Sequence, residues 1–146
     1  MSGLGKEKVQ AEFKKQADAF VAEKVDFLLA EYFEHIEEME WAIEVLKATG
    51  LPVASSMCIG PEGDLHGVTT ADCGARMAKA GADIIGINCH FDPETSLAAM
   101  AEIKKGIEGA GMKKHLIVQP LGYKTPDASA QGFIDLPEFP FGEFLE

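Results

Sequence analysis

The sequence predicts an α/β protein built from consecutive βα units around a parallel sheet. Apolar runs of strand length recur at intervals of roughly 30 residues, each gap between them holds one helical stretch, and glycine, proline and aspartate mark the junctions. Crossovers between parallel strands are almost always right-handed, so four such units in a row give neighbouring parallel strands with helices outside. The rhythm alone leaves a barrel arc and an open sheet equally open.

The elements follow in order. Val9, Phe13, Ala17 and Phe20 recur every three or four residues between charged positions, which predicts an amphipathic helix over residues 4–23. The apolar run from Val25 to Ala30 reads as the first strand. Ile36, Met39, Ile43 and Leu46 form a helical stripe opposite Glu37, Glu38, Glu40 and Glu44, a run read as a solvated face. Gly50 is placed to end that helix in a left-handed conformation, and Pro52 prevents its resumption. Val53 to Ile59 is the second strand, followed by the loop GPEGDLHGV and a helix from Thr70 to Ala80 that stops at Gly81. Asp83 to Cys89 is the third strand. Asp92 and Pro93 suit the N-cap and first position of a helix that Leu97, Met100, Ile103 and Ile107 continue to Gly109 or Gly111. His115 to Gln119 is the fourth strand, and residues 120–146, with Pro120, Pro126, Pro137 and Pro140, read as an irregular loop segment.

This order fixes a polarity. Glu31, Cys58, Cys89 and Gln119 fall at or just past the carboxyl ends of their strands, on the one rim where both barrels and open α/β sheets bind ligands.

Composition narrows the function classes. The chain has 146 residues, 47% of them hydrophobic, and 13 basic against 24 acidic residues leave a formal charge of −11. Such a field repels phosphate backbones and argues against a nucleic-acid partner. No apolar run approaches the roughly 20 residues that cross a bilayer, and MSGLGKEKVQ lacks the apolar core of a signal peptide. A soluble cytoplasmic protein without a membrane partner is the expectation. Cys58, Cys73 and Cys89 are odd in number and lack disulfide-framework spacing, so they read as reduced thiols, free to pack or to bind metal.

Four segments carry a resemblance: AEYFEH (Ala30 to His35), MCIGPEGDLHGV (Met57 to Val68), GADIIGINCHFDP (Gly81 to Pro93) and QGFIDLPEFPFG (Gln131 to Gly142). In this order they resemble the betaine–homocysteine S-methyltransferase family, over about Val9 to Gly142. Glu143 to Glu146 departs from the expected continuation, which suggests a truncated form. The resemblance implies an eight-stranded β/α barrel of roughly 250 residues or more, of which residues 1–146 would be a partial homocysteine-binding domain holding about strands four to seven. It also implies transfer of a methyl group from betaine to zinc-held homocysteine, giving methionine and dimethylglycine, in full-length proteins that are homo-oligomers. A relative using S-methylmethionine as donor is the alternative within enzymology; a non-catalytic fragment acting only through association is the alternative outside it. AEYFEH and QGFIDLPEFPFG favour the betaine branch.

The resemblance assigns roles residue by residue. Cys89, in INCHFDP, matches the first of three zinc thiolates; the other two belong to a later paired-cysteine motif with no counterpart in this chain. Thiolates suit the task because zinc lowers the pKa of homocysteine's sulfur while keeping a coordination position open. A lone cysteine at a strand end is, by itself, more often core packing. Glu31 matches the residue that binds homocysteine's ammonium, against the plain reading of a solvated loop carboxylate. Tyr32 matches a residue lining the betaine pocket, where an aromatic face can hold a quaternary ammonium, against the plain reading of a packed tyrosine. His90 is expected to be a supporting residue, because adjacent strand side chains point to opposite faces. Cys58 and Cys73 read as buried thiols. The loop holding Asp64 and His66 lacks the lysine of a phosphate-binding loop and reads as a rim loop shaping the pocket, and Gln119 as a weak donor to a substrate carboxylate.

Overall fold

The computed structural model describes residues 5–122. The motif Gln131 to Gly142 and most of the expected irregular segment lie outside the described residues. Among the described residues four helices and four strands alternate: α1 (Lys6–Ala22), β1 (Leu28–Phe33), α2 (Ile36–Lys47), β2 (Val53–Met57), α3 (Thr70–Ala80), β3 (Ile84–Asn88), α4 (Pro93–Gly109) and β4 (His115–Gln119). The strands form one parallel sheet in the order β1-β2-β3-β4. Sequential order without a reversal is the signature of a singly wound arc, because right-handed crossovers then place every helix on the same face. This is the arrangement found in part of a β/α barrel.

The helix-facing side of the sheet makes the core. Ile36, Met39 and Ile43 of α2, Met77 of α3 and Ile103 of α4 pack fully buried against Met57, Ile85 and Ile87 of the strands. Helices α3 and α4 approach closely because Gly74 and Gly106 face each other's backbones. A Cβ on Gly106 would collide with the Ala71 carbonyl, and one on Gly74 would lie 2.6 Å from the Ile103 oxygen. The predicted caps form: Asp92 accepts from the Thr95 N–H with Pro93 in the first turn, and Gly81 ends α3 at φ 108°.

Two expectations change. Strand β1 begins at Leu28 rather than Val25, because Val25 still closes the end of α1, its N–H donating to the Phe20 carbonyl, and Phe27 stands 52% exposed in the connection. The acidic run on α2 is also less solvated than expected: Glu40 and Glu37 clasp Arg76 of α3 at 2.6 and 3.3 Å. These bonds hold the Arg76 guanidinium well above its ordinary pKa against the opposing effect of burial, and the pair staples α2 to α3.

Candidate functional site

The carboxyl ends of β1, β2 and β3 meet on one rim, and hydrogen bonds place the residues just beyond them. The Cys58 N–H donates to the Phe33 carbonyl at 2.8 Å, and the Cys89 N–H to the Gln119 carbonyl at 2.9 Å. Both thiols therefore stand directly past their strands. Glu31 and Tyr32 lie at an irregularity of β1, where the pairing with β2 slips between Ala30 and Phe33.

Backbone strain concentrates here. Tyr32, Cys89 and His90 have φ of 69°, 54° and 54°, in the left-handed region that side-chain-bearing residues avoid. Each costs on the order of 1 to 3 kcal/mol, and such residues persist where surrounding structure over-determines them, commonly at binding sites. A buried asparagine supplies part of that determination. Asn88, 2% exposed at the end of β3, accepts from the Tyr32 N–H through Oδ1 and donates to Cys58 Sγ through Nδ2, both at 3.4 Å.

Tyr32 is exposed, with its hydroxyl 3.1 Å from His90 Nε2 and its ring edge-on to the imidazole at 5.3 Å. His90 is buried, and its other nitrogen lies 3.9 Å from Glu34 Oε1. Partial desolvation, then the negative character of Cys58, Cys89 and Glu34, push the Tyr32 phenol above its ordinary value. Burial pushes the Cys58 thiol up to about 12, reinforced by Cys89, Glu34 and Glu31 and opposed by the bond from Asn88. Cys58 is thus the electrostatic meeting point of Glu31, Glu34 and Cys89. Glu31 itself is exposed, and its carboxylate makes no hydrogen bond or ion pair among the described residues.

His90 lies outside the strand alternation expected of it. Strand β3 ends at Asn88, and two consecutive left-handed residues re-aim both side chains. The His90 ring nevertheless supports another residue, through its bond to the Tyr32 hydroxyl. Cys73 is buried on α3 and pushed up to about 12, chiefly by burial. Among the described residues no three His, Cys, Asp or Glu side chains converge to hold a metal. Cys89, partly exposed on the rim, is a suitable soft donor, but it is one ligand and not a site.

The rim loop after β2 is built around Asp64. Its buried carboxylate accepts from the N–H groups of His66 and Val68 at 2.9 Å and from Ile36 at the start of α2 at 3.1 Å. It replaces the missing side-chain cap of α2, whose N-cap, His35, makes none. Neither Asp64 as a cap nor Asn88 as a brace was read from sequence. The signals were an aspartate between glycines, which favours side-chain-to-backbone turns, and a lone amide closing an apolar strand.

Thiol labelling checks this arrangement. In the native chain at pH 8, iodoacetamide is expected to modify Cys89 rapidly and Cys58 and Cys73 only after denaturant is added, since the reagent reaches the partly exposed thiol and not the buried ones. Mass-spectrometric labelling of Cys58 as fast as Cys89 would contradict the described burial.

Comparison with known proteins agrees with this geometry. The family model "Homocysteine S-methyltransferase" matches residues 1–137. Betaine–homocysteine S-methyltransferase 1 of Danio rerio is 59% identical over 141 residues, which cover 97% of this chain and 35% of that protein. The Bos taurus protein of the same name is 61% identical over 134 residues, covering 92% of this chain and 33% of that one. The Sus scrofa protein is 60% identical over 134 residues, covering 92% and 48%. The chain therefore spans between a third and a half of the length of these relatives. Among solved structures, the apo form of the homocysteine methyltransferase MmuM from Escherichia coli superposes with a TM-score of 0.65 at 22% identity, over 82% of this chain and 45% of that one, a likeness of fold. With the family pattern matched over nearly the whole chain and a strand arc of the same fold, this chain belongs to the homocysteine S-methyltransferase family.

Proposed function

We propose that the chain is a partial homocysteine-binding domain, about strands four to seven of an eight-stranded β/α barrel, and that the whole protein transfers a methyl group from betaine to homocysteine. Homocysteine's sulfur, as thiolate, forms the new S–C bond while the methyl C–N bond breaks. Its electron pair stays on nitrogen, so a quaternary ammonium leaves as the tertiary amine dimethylglycine and the product is methionine. The observation that carries this reading is the strained rim on which Tyr32, Cys89 and His90 stand side by side with Glu31.

Each residue has a task. Glu31, exposed and without a hydrogen bond among the described residues, offers its carboxylate to the ammonium of homocysteine. Tyr32 offers an aromatic face to betaine's trimethylammonium, with His90 fixing the hydroxyl. Cys89 would be one thiolate ligand of a zinc ion whose other ligands come from outside the described residues. Zinc, when bound, supplies the Lewis acidity that keeps a thiol deprotonated at neutral pH. The chain's own contribution is positioning, holding donor and acceptor groups in line on a rigid rim. Presenting one matched thiolate, the 146-residue chain alone is inferred to be catalytically incomplete, and a cytosolic setting suits its reduced thiols.

The test is Glu31→Gln in a protein extended to the length of these relatives. Homocysteine binding should weaken by roughly 1.5 to 3 kcal/mol, the worth of a charge-assisted hydrogen bond, with zinc content unchanged. Unchanged affinity in a calorimetric titration would return Glu31 to the solvated surface.

A further inference from the structure

Asn88 grips strand β1 where its alternation breaks. Resting on the methyltransferase reading above, we infer that Asn88 is a positioning residue for the homocysteine ammonium. Acting through the Tyr32 backbone, it holds the bulge that sets Glu31 and Tyr32 side by side on the rim, and it touches neither substrate.

Strand β1 carries an extra residue. Ala30 pairs with Ser55 and Phe33 with Met57, so Glu31 and Tyr32 together stand opposite Ser56 alone. Burial alternates along β1 from Leu28 to Glu31, and unbroken alternation would turn Tyr32 inward with Leu28 and Ala30; Glu31 and Tyr32 are both exposed instead. A bulge of this kind disrupts the ladder and re-aims a side chain, which is why bulges recur beside binding sites. For tyrosine the conformation is costly, because a φ of 69° suits glycine and not a residue with a Cβ.

Asn88 offsets that cost from two strands away. It ends β3, and β2 lies between it and β1. Its Oδ1 accepts from the Tyr32 N–H, and its Nδ2 donates to Cys58 Sγ. The Cys58 N–H donates in turn to the Phe33 carbonyl. One amide therefore ties both sides of the bulge, directly at Tyr32 and through Cys58 at Phe33. An amide is the side-chain group that offers an oxygen to the N–H and an N–H to the sulfur at once. At 2% exposure Asn88 is shielded from water, so its bonds face little competition, and it lies beneath the rim where a substrate would not reach it. Without this brace Tyr32 would relax toward regular pairing, which sends it to the face opposite Glu31.

The experiment uses a protein extended to the length of these relatives. Homocysteine affinity is read by calorimetric titration, and zinc content is measured in parallel because Cys89 follows Asn88 directly. Asn88→Leu keeps the size of the side chain but accepts no hydrogen bond, and it should weaken homocysteine binding about tenfold or more with zinc content unchanged. Asn88→Ser, too short to reach the Tyr32 N–H, is read in the same way should the leucine variant fail to fold. The deciding measurement is non-additivity. Glycine adopts a left-handed φ without penalty, so in a Tyr32→Gly background the Asn88 substitution should change homocysteine affinity by less than about threefold. A tenfold loss that persists beside Tyr32→Gly, or one that tracks loss of zinc, would overturn a role through Tyr32. So would unchanged affinity in Asn88→Leu while Glu31→Gln is impaired, a result that leaves the methyltransferase reading standing. Unchanged affinity in Glu31→Gln itself would overturn that reading and this inference with it, so the two failures are told apart.

Discussion

Replacing Cys89 with alanine in a protein of full family length is expected to weaken zinc binding by more than about 100-fold, since even outer-shell partners of a metal ligand are worth 10 to 100-fold. Metal analysis after dialysis should find the Cys89→Ala protein empty and the Cys58→Ala and Cys73→Ala proteins loaded. The contrast follows from position. Cys89 sits past the end of β3, partly exposed and aimed by a left-handed backbone. Cys58 is buried with the Asn88 side chain donating to its sulfur, and Cys73 is buried on α3 away from the strand ends, so neither thiol is presented as Cys89 is. Full zinc occupancy in Cys89→Ala would remove the assignment, and loss of zinc in Cys58→Ala with the fold intact would move it to that thiol.

Asp64→Ala should cost about 3 to 5 kcal/mol of stability, a large part of the 5 to 15 kcal/mol that holds a typical domain. One buried carboxylate satisfies three N–H groups, two within the rim loop and one at the start of α2. Alanine leaves those donors without their protein partner. Urea titration would measure the loss, with Glu62→Ala on the exposed part of the same loop as a neutral control and Asp64→Asn intermediate because an amide oxygen still accepts. A loss below about 1 kcal/mol would mean that water replaces the carboxylate without penalty.

The helices were legible because their signals are local. Thr70 to Ala80 is helical from end to end as read, and Asp92 with Pro93 opens α4 as read. Strand number, direction and order follow from periodicity together with the handedness of crossovers. The first strand was misplaced by three residues because Val25 and Phe27 are apolar without being buried in the sheet, and composition cannot distinguish a strand from an apolar connection. The local geometry of the candidate residues was not legible. A pairing slip at Tyr32 and two successive left-handed residues at Cys89 and His90 are set by neighbours distant in sequence, with Asn88 holding the Tyr32 backbone across 56 positions. Arg76 shows the same limit: nothing near it in sequence announces that it clasps Glu37 and Glu40 on the preceding helix.

The contacts between elements have one more consequence, for the way the chain is made. Among the described residues strands pair only with the strand before and the strand after, and the main helix contacts are between sequence neighbours: α1 on α2, α2 on α3, α3 on α4. Among the described residues no late segment has to reach back to an early one before the early one can settle. Short loops close early and cheaply, so a chain leaving the ribosome can dock each βα unit on its predecessor while the next is still being synthesised. Throughout that growth the leading edge of the sheet is always the newest strand, which makes the unfinished side of the sheet, rather than the core already laid down, the surface that a chaperone would have to shield.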